Sequence, residues 1–186
     1  MPTEFAALAR EWRARFAAGR RAFRWVEDRL DNGYCAECRH CCGPQPEGDA
    51  PYPMPLLPSQ RRPDLADDFY LLSPSVACLD QRGCKALTST GCRLERRRRP
   101  PACNLFPLII NEGALYFYQI CPAVLFADLD TLLRIGEDAA RDLPRLYTPD
   151  ELRAISTPLT PESLIHKCIS LDVRIYEQAE NGARPG

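Results

Sequence analysis

The chain has 186 residues, 45% of them hydrophobic, and a formal net charge of −1. That length suits one domain with its own core, the apolar content excludes a disordered chain, and the balanced charge argues against a general nucleic-acid binder. The 18 prolines predict a fold rich in loops and turns.

Residues 4–31 read as one amphipathic helix, because Phe5, Leu8, Trp12, Phe16, Phe23, Val26 and Leu30 recur near helical spacing with arginines between them. Asn32 and Gly33 supply its stop, and its expected task is to cover the cysteine loop that follows. Cys35, Cys38, Cys41 and Cys42 then stand at the spacing C-x2-C-x2-C-C. Two-residue gaps let one tight loop turn several thiolates towards a common point, as a soft metal or an iron–sulfur cluster requires. Adjacent Cys41 and Cys42 either serve two metals or divide between ligation and packing. His40, inside the loop, is either an alternate ligand or a solvent-facing side chain.

Prolines at 44, 46, 51, 53, 55, 58 and 63 predict an extended loop, followed by a short helix over 63–70. Cys78, Cys84 and Cys92 form a second group. Gly83 and Gly91 each precede a cysteine and permit the tight backbone that brings a thiolate inward. The arginine run at 96–99 reads as a solvated edge, or as cations that offset thiolate charge. Cys103 follows. Residues 105–120 read as a β-hairpin with strands 105–110 and 114–120 around Asn111, Glu112 and Gly113. With the turn centred on Glu112, Cys103 and Cys121 fall opposite one another. Beyond Pro122 a helix is expected over 123–141, a second after a capping box at Thr148 and Glu151, and a third from Thr160 to about residue 179. Cys168 and His166 lie on that third helix, Cys168 as a packing cysteine, and the tail from Asn181 is expected to fray.

Ten cysteines, with no apolar signal segment and no apolar run of about 18 residues, read as metal-binding thiols in a cytoplasmic chain without a membrane span. The fold class is a loop-rich α+β single domain. A helix at 1–33 and a helical part at 123–186 pack a small metal-centred cysteine core at 34–122. Cys35, Cys38, Cys41 and Cys121, the last followed by Pro122, match the C-x2-C-x2-C plus remote Cys-Pro arrangement of a 4Fe–4S cluster. Cys42, Cys92, Cys103 and one of Cys78 or Cys84 remain for a second site or for packing, with any two centres close together. Zinc held in closed thiolate tetrahedra is the alternative. The two readings imply a redox or accessory protein with a redox partner, and a zinc-stabilised module with a protein partner. No Gly-rich nucleotide loop and no Ser-His-Asp set is found, so no catalytic residue is named.

These motifs together resemble the YkgJ-type cysteine-cluster family, described as a zinc- or iron-chelating domain. The resemblance runs from Cys35 to Pro122. It rests on C-x2-C-x2-C-C, the middle cysteines, R-P-x-x-C-x-x-F-P over 99–107 and the late Cys121. Asn104 stands where the family pattern has arginine, and Cys78 and Cys84 compete for one role. The resemblance implies metal binding through about eight ligands. Related members include proteins labelled Fe–S oxidoreductases and a flagellin lysine methylase, a lead towards protein modification.

Overall fold

The computed structural model describes residues 2–157 and 159–176. Helix and strand are mixed, and the strands form four small antiparallel sheets among the described residues rather than a single hairpin. The opening helix α1 (Pro2–Arg15) is half the length that its periodicity predicts. Residues 16–18 turn, Gly19 takes φ +143°, and Phe23, Trp25 and Val26 pair as β1 (Phe23–Val26) with β2 (Arg29–Asn32). A glycine break followed by aromatic and β-branched residues outweighs a spacing that suits either element.

The proline-rich stretch carries β3 (Tyr52–Pro55), which pairs with β5 (Val76–Leu79); β4 (Tyr70–Ser73) lies on the other side of β5. Pro53 and Pro55 are tolerated because β3 is an edge strand, where a missing N–H costs no ladder bond. Tyr70 opens β4, so the helix expected over 63–70 is confined to α3 (Leu65–Asp68).

The hairpin is β8 (Leu108–Asn111) and β9 (Ala114–Tyr118), with Leu108 opposite Phe117 and Asn111 opposite Ala114. The loop is therefore the two-residue pair Glu112 and Gly113, at φ +50° and +80°, and the register is one residue off the expected one. A Cβ on Gly113 would meet the Tyr176 carbonyl oxygen at 2.3 Å, so glycine is required there twice over. The paired residues end at Leu108 and Phe117. Cys103 and Cys121 lie outside this pairing and do not face one another: Cys103 belongs to α4 (Pro101–Leu105), and Cys121 precedes α5 (Pro122–Phe126).

The helix expected over 123–141 is split, because Asp128 caps α6 (Leu129–Leu146) by accepting a 2.8 Å bond from the Thr131 N–H. The capping box of α7 (Pro149–Ile155) forms as its residues predict. The third helix stops as α8 (Pro161–Lys167), and β10 (Cys168–Arg174) joins the hairpin in the order β10-β9-β8. Leu171 is buried between exposed Ser170 and Asp172, the alternation of a half-covered strand. Residues 177–179 of the expected helix, and the tail from Asn181, lie outside the described residues.

Two cores result. The larger gathers Trp12, Phe16, Tyr34, Phe117, Leu143 and Leu152 under α6 and the three-stranded sheet. The smaller holds Met54, Leu56, Leu65, Phe69, Ala77 and Leu94. Among the described residues no helix is long and apolar enough to cross a membrane.

Asp68, 1% exposed at the end of α3, ties the arginine run to the smaller core. It accepts hydrogen bonds from Arg62 and, at 3.0 Å, from Arg98, and its second oxygen lies 2.6 Å from Arg93. Burial works against its ionisation, but the Arg62 bond and the charges of Arg62 and Arg93 outweigh burial and hold its carboxyl below the usual range. A depressed carboxyl contributes stability above the unfolded pKa of about 3.9 and loses it as pH falls below that value. Asp68→Asn is expected to lower unfolding free energy by about 3 kcal/mol at pH 7 in urea titrations. The gap from wild type should close as pH drops below about 4. Equal denaturation midpoints at pH 7 would show that this carboxylate does not anchor the arginine run.

Candidate functional site

The cysteine loop is built from two short helical turns joined by one left-handed residue. Cys35–Cys38 forms a single helical turn, α2, whose Cys38 N–H donates to the Tyr34 carbonyl at 2.8 Å. Arg39 then takes the left-handed conformation (φ +54°), and His40–Cys42 continues as a 3-10 turn. Arg39 holds this reversal by donating from Nε to the Ala36 carbonyl at 3.2 Å and from its guanidinium to the Ser89 carbonyl. A left-handed non-glycine residue is uncommon, so these bonds offset a local steric cost. His40 stays exposed, and its ring meets Trp12 edge-on at 5.6 Å. Beneath the loop, Asn32 accepts from the Tyr34 N–H at 3.1 Å and donates from Nδ2 to the Cys121 sulfur at 3.5 Å.

The facing wall comes from residues 80–103. The Cys84 N–H donates to the Cys42 carbonyl at 3.0 Å, and the Gln45 N–H to the Asp80 carbonyl at 3.0 Å. Gly83 takes φ +75° against the chain at Gly43. Arg82 lies over the Tyr70 ring at 3.6 Å and pairs with Asp80, which fixes the far side of this turn. The two-residue pairing of β6 (Leu87–Thr88) with β7 (Gly91–Cys92) returns Cys92 to the same wall, and α4 carries Cys103, whose thiol is 3.7 Å from the Met54 sulfur.

Eight cysteines, Cys35, Cys38, Cys41, Cys42, Cys84, Cys92, Cys103 and Cys121, line one cleft of about 450 Å3 at the seam between the two cores. Cys78 is absent from it: it is buried in β5, opposite Pro53 and Tyr70. Of Cys78 and Cys84, only Cys84 lines the cleft, since the strand that carries Cys78 is claimed by sheet pairing. Cys168, half-buried at the start of β10, is also outside the cleft, on a strand rather than the expected helix. Within the cleft the thiols lie in two overlapping neighbourhoods. Cys42, Cys84 and Cys92 act on Cys103, whereas Cys121 acts on Cys35 and Cys41 and is itself influenced by Cys38; Cys42 also acts on Cys35, Cys38 and Cys41 and so belongs to both. Among the described residues no three His, Cys, Asp or Glu side chains converge on a single ion position. The thiols face a shared space, not a point.

Their protonation follows from crowding. Burial, reinforced by Cys121, Cys42 and Cys38, pushes the Cys35 thiol up to about 12 against the pull of Arg96. Burial raises Cys121 to about 11, although a hydrogen bond from Asn32 opposes it. The Cys41–Cys42 pair splits: a hydrogen bond from Cys41 brings Cys42 down to about 7, with help from Arg99, and holds Cys41 well above its ordinary value.

Arg39, Arg96 and Arg99 line the cleft, and so do Tyr52, Phe106 and Tyr118. Arg96 and Arg99 belong to the run read as a solvated edge or as cations that offset thiolate charge, whereas Arg39 is not read from the sequence. Nothing in the local sequence of the aromatic residues distinguishes a cleft wall from core. Asn104, the departure from the family pattern, donates to the Arg96 carbonyl at 3.1 Å and so braces the arginine run against α4.

A Cβ on Gly83 would lie 2.9 Å from the Gly43 carbonyl carbon and 3.0 Å from the Pro44 nitrogen, at a backbone angle that side chains already disfavour. Gly83→Ala is expected to cost roughly 1–3 kcal/mol of stability and to increase the reactivity of Cys84 towards a thiol reagent as the two walls part. Reactivity and melting equal to wild type would mean that the walls do not depend on this contact. No family model, curated protein or solved structure matches the chain.

Proposed function

We propose that the chain is a metal-binding protein of the YkgJ type, acting in the cytoplasm, whose cleft thiols hold iron–sulfur groups in a redox or accessory role. The supporting observation is the lining itself: eight thiols, one histidine and no carboxylate surround a single cleft of about 450 Å3. Soft thiolates select iron–sulfur clusters, zinc or Cu(I) over hard cations, so the donor chemistry fits the expected group. A tetrahedral thiolate site closes on one ion with metal–sulfur distances of about 2.3 Å. A space this wide, approached by thiols from several sides, suits a larger inorganic group better. The neighbourhoods suggest Cys35, Cys38, Cys41 and Cys121 as one set of four and Cys42, Cys84, Cys92 and Cys103 as the other. Cys41 and Cys42 then form the wall between them.

A bound iron–sulfur cluster would supply one-electron transfer. This chain's residues would supply the thiolates, the Asn32 amide bond to the Cys121 sulfur and the positive charge of Arg99 beside the anionic ligands. Trp12 and Tyr34 line the cleft beside the first set, of which Cys121 is buried and Cys35 is exposed.

The test is metal, sulfide and absorption analysis of anaerobically purified protein and of four variants. Iron with acid-labile sulfide is expected, falling by at least about half in Cys38→Ser and Cys84→Ser as one set in each loses a ligand. Cys78→Ala and Cys168→Ala should retain the wild-type content and lose roughly 1 kcal/mol of stability as small truncations. Stoichiometric zinc without iron would replace the redox reading with a zinc-stabilised interaction module. Protein that carries neither metal and folds unchanged would sink the proposal.

A further inference from the structure

The thiols account for one part of the cleft and leave its arginines and its apolar wall without a task. In a chain with 24 basic and 25 acidic side chains, the cleft lining contains three arginines and no aspartate or glutamate. Two of the three are engaged locally. Arg99 donates from Nε and from a terminal nitrogen to the Leu94 carbonyl at 3.0 and 2.8 Å, and Arg39 donates to Ala36 and Ser89. The Arg96 side chain is different. Among the described residues it makes no hydrogen bond and no ion pair, it is exposed, and its charge reaches Cys35 at the mouth of the cleft. Its backbone is nevertheless fixed: the Arg96 carbonyl accepts from the Arg99 N–H at 3.0 Å and from Asn104 Nδ2 at 3.1 Å. A free guanidinium on an anchored stem is thus presented to an opening that holds no competing carboxylate.

Much of the remaining lining is apolar or aromatic and includes Tyr52, Phe106, Ile109, Tyr118 and Leu159, beside the polar Asn32, His40, Gln45 and Thr90. The cleft's volume of about 450 Å3 lies within the range of about 300–1,000 Å3 typical of small-molecule sites. One arginine aimed into an apolar, carboxylate-free cleft is complementary to one class of ligand: a small molecule with a single anionic group and an apolar body.

We propose that the cleft admits a small apolar carboxylate, its carboxylate held by Arg96 at the mouth and its body lying against Tyr52, Phe106 and Tyr118. This goes beyond metal binding and gives the cleft a substrate class. The solvated-arginine reading predicts no ligand. The reading in which Arg96 only offsets thiolate charge predicts that its loss changes metal content.

The experiment is calorimetric titration of the anaerobically purified full chain with octanoate, and with octylamine as the probe of opposite charge. Saturable one-to-one octanoate binding that weakens with salt, with no octylamine binding, is the expected result. Arg96→Ala should weaken octanoate by about tenfold or more, with wild-type metal content and melting temperature, and Arg96→Lys should recover part of the affinity. Absence of saturable octanoate binding to wild type overturns the proposal. So does Arg96→Ala binding octanoate as well as wild type, or losing metal in proportion to octanoate, which assigns Arg96 to the metal's charge. A metal-free preparation that binds octanoate through Arg96 supports this site and counts against the metal reading alone.

Discussion

The backbone contact between the cysteine loop and the turn that faces it is the constraint on which the remaining architecture depends. The Cys84 N–H reaches the Cys42 carbonyl, and Gly83 lies against Gly43 closely enough to exclude any side chain. Hydrophobic burial assembles each core but is not directional, so it cannot by itself set how two small cores meet. A main-chain hydrogen bond and a glycine contact can, because each tolerates errors of only a few tenths of an ångström. The Asp80–Arg82–Tyr70 stack behind Gly83 and the Asn32 bonds beneath Cys121 hold the two walls from their far sides.

The chain's arginines divide between two uses. Arg62, Arg93 and Arg98 are drawn inward to one buried carboxylate, where partly desolvated charges attract strongly and rigidify α3 against the short 3-10 turn at Arg96–Arg98. Arg39, Arg96 and Arg99 line a cleft without carboxylates, so their charge is directed towards whatever enters it. The run at 96–99 contains both kinds, with Arg97 paired to Glu95 at the surface. One uniform stretch of sequence thus feeds a structural hub, a solvated edge and a cleft wall.

What the sequence made legible was chemistry decided within a few residues. The Thr148–Glu151 capping box and the glycine before Cys84 are local devices, and each takes the expected form; the C-x2-C-x2-C-C segment forms a tight turn, but its thiols face a shared space and do not converge on one point. Misreadings arose where distant partners decide. Phe23, Val26 and Leu30 fit a helical period, yet a glycine and cross-strand pairing make them strands. Residues 168–174 carry apolar side chains that suit either period, and the open edge of β9 settles them as β10. Two positive-φ residues at Glu112 and Gly113, rather than three loop residues, moved the hairpin register by one and separated Cys103 from Cys121. Cys78 and Cys84 are equivalent by spacing; only the strand order of β3, β5 and β4 removes Cys78 from the cleft.

The span of sequence that lines the cleft has a consequence for how the protein is made. Its wall begins at Trp12 and is completed only at Leu159, so it consists mainly of long-range contacts, which form slowly because chain closure precedes their reward. During synthesis from the N-terminus, six of its eight cysteines, Cys35 to Cys92, precede Cys103 and Cys121 in the chain. A nascent chain therefore carries a row of thiols before the cleft they line exists. Until the hairpin closes, any protection of those thiols must come from outside the chain.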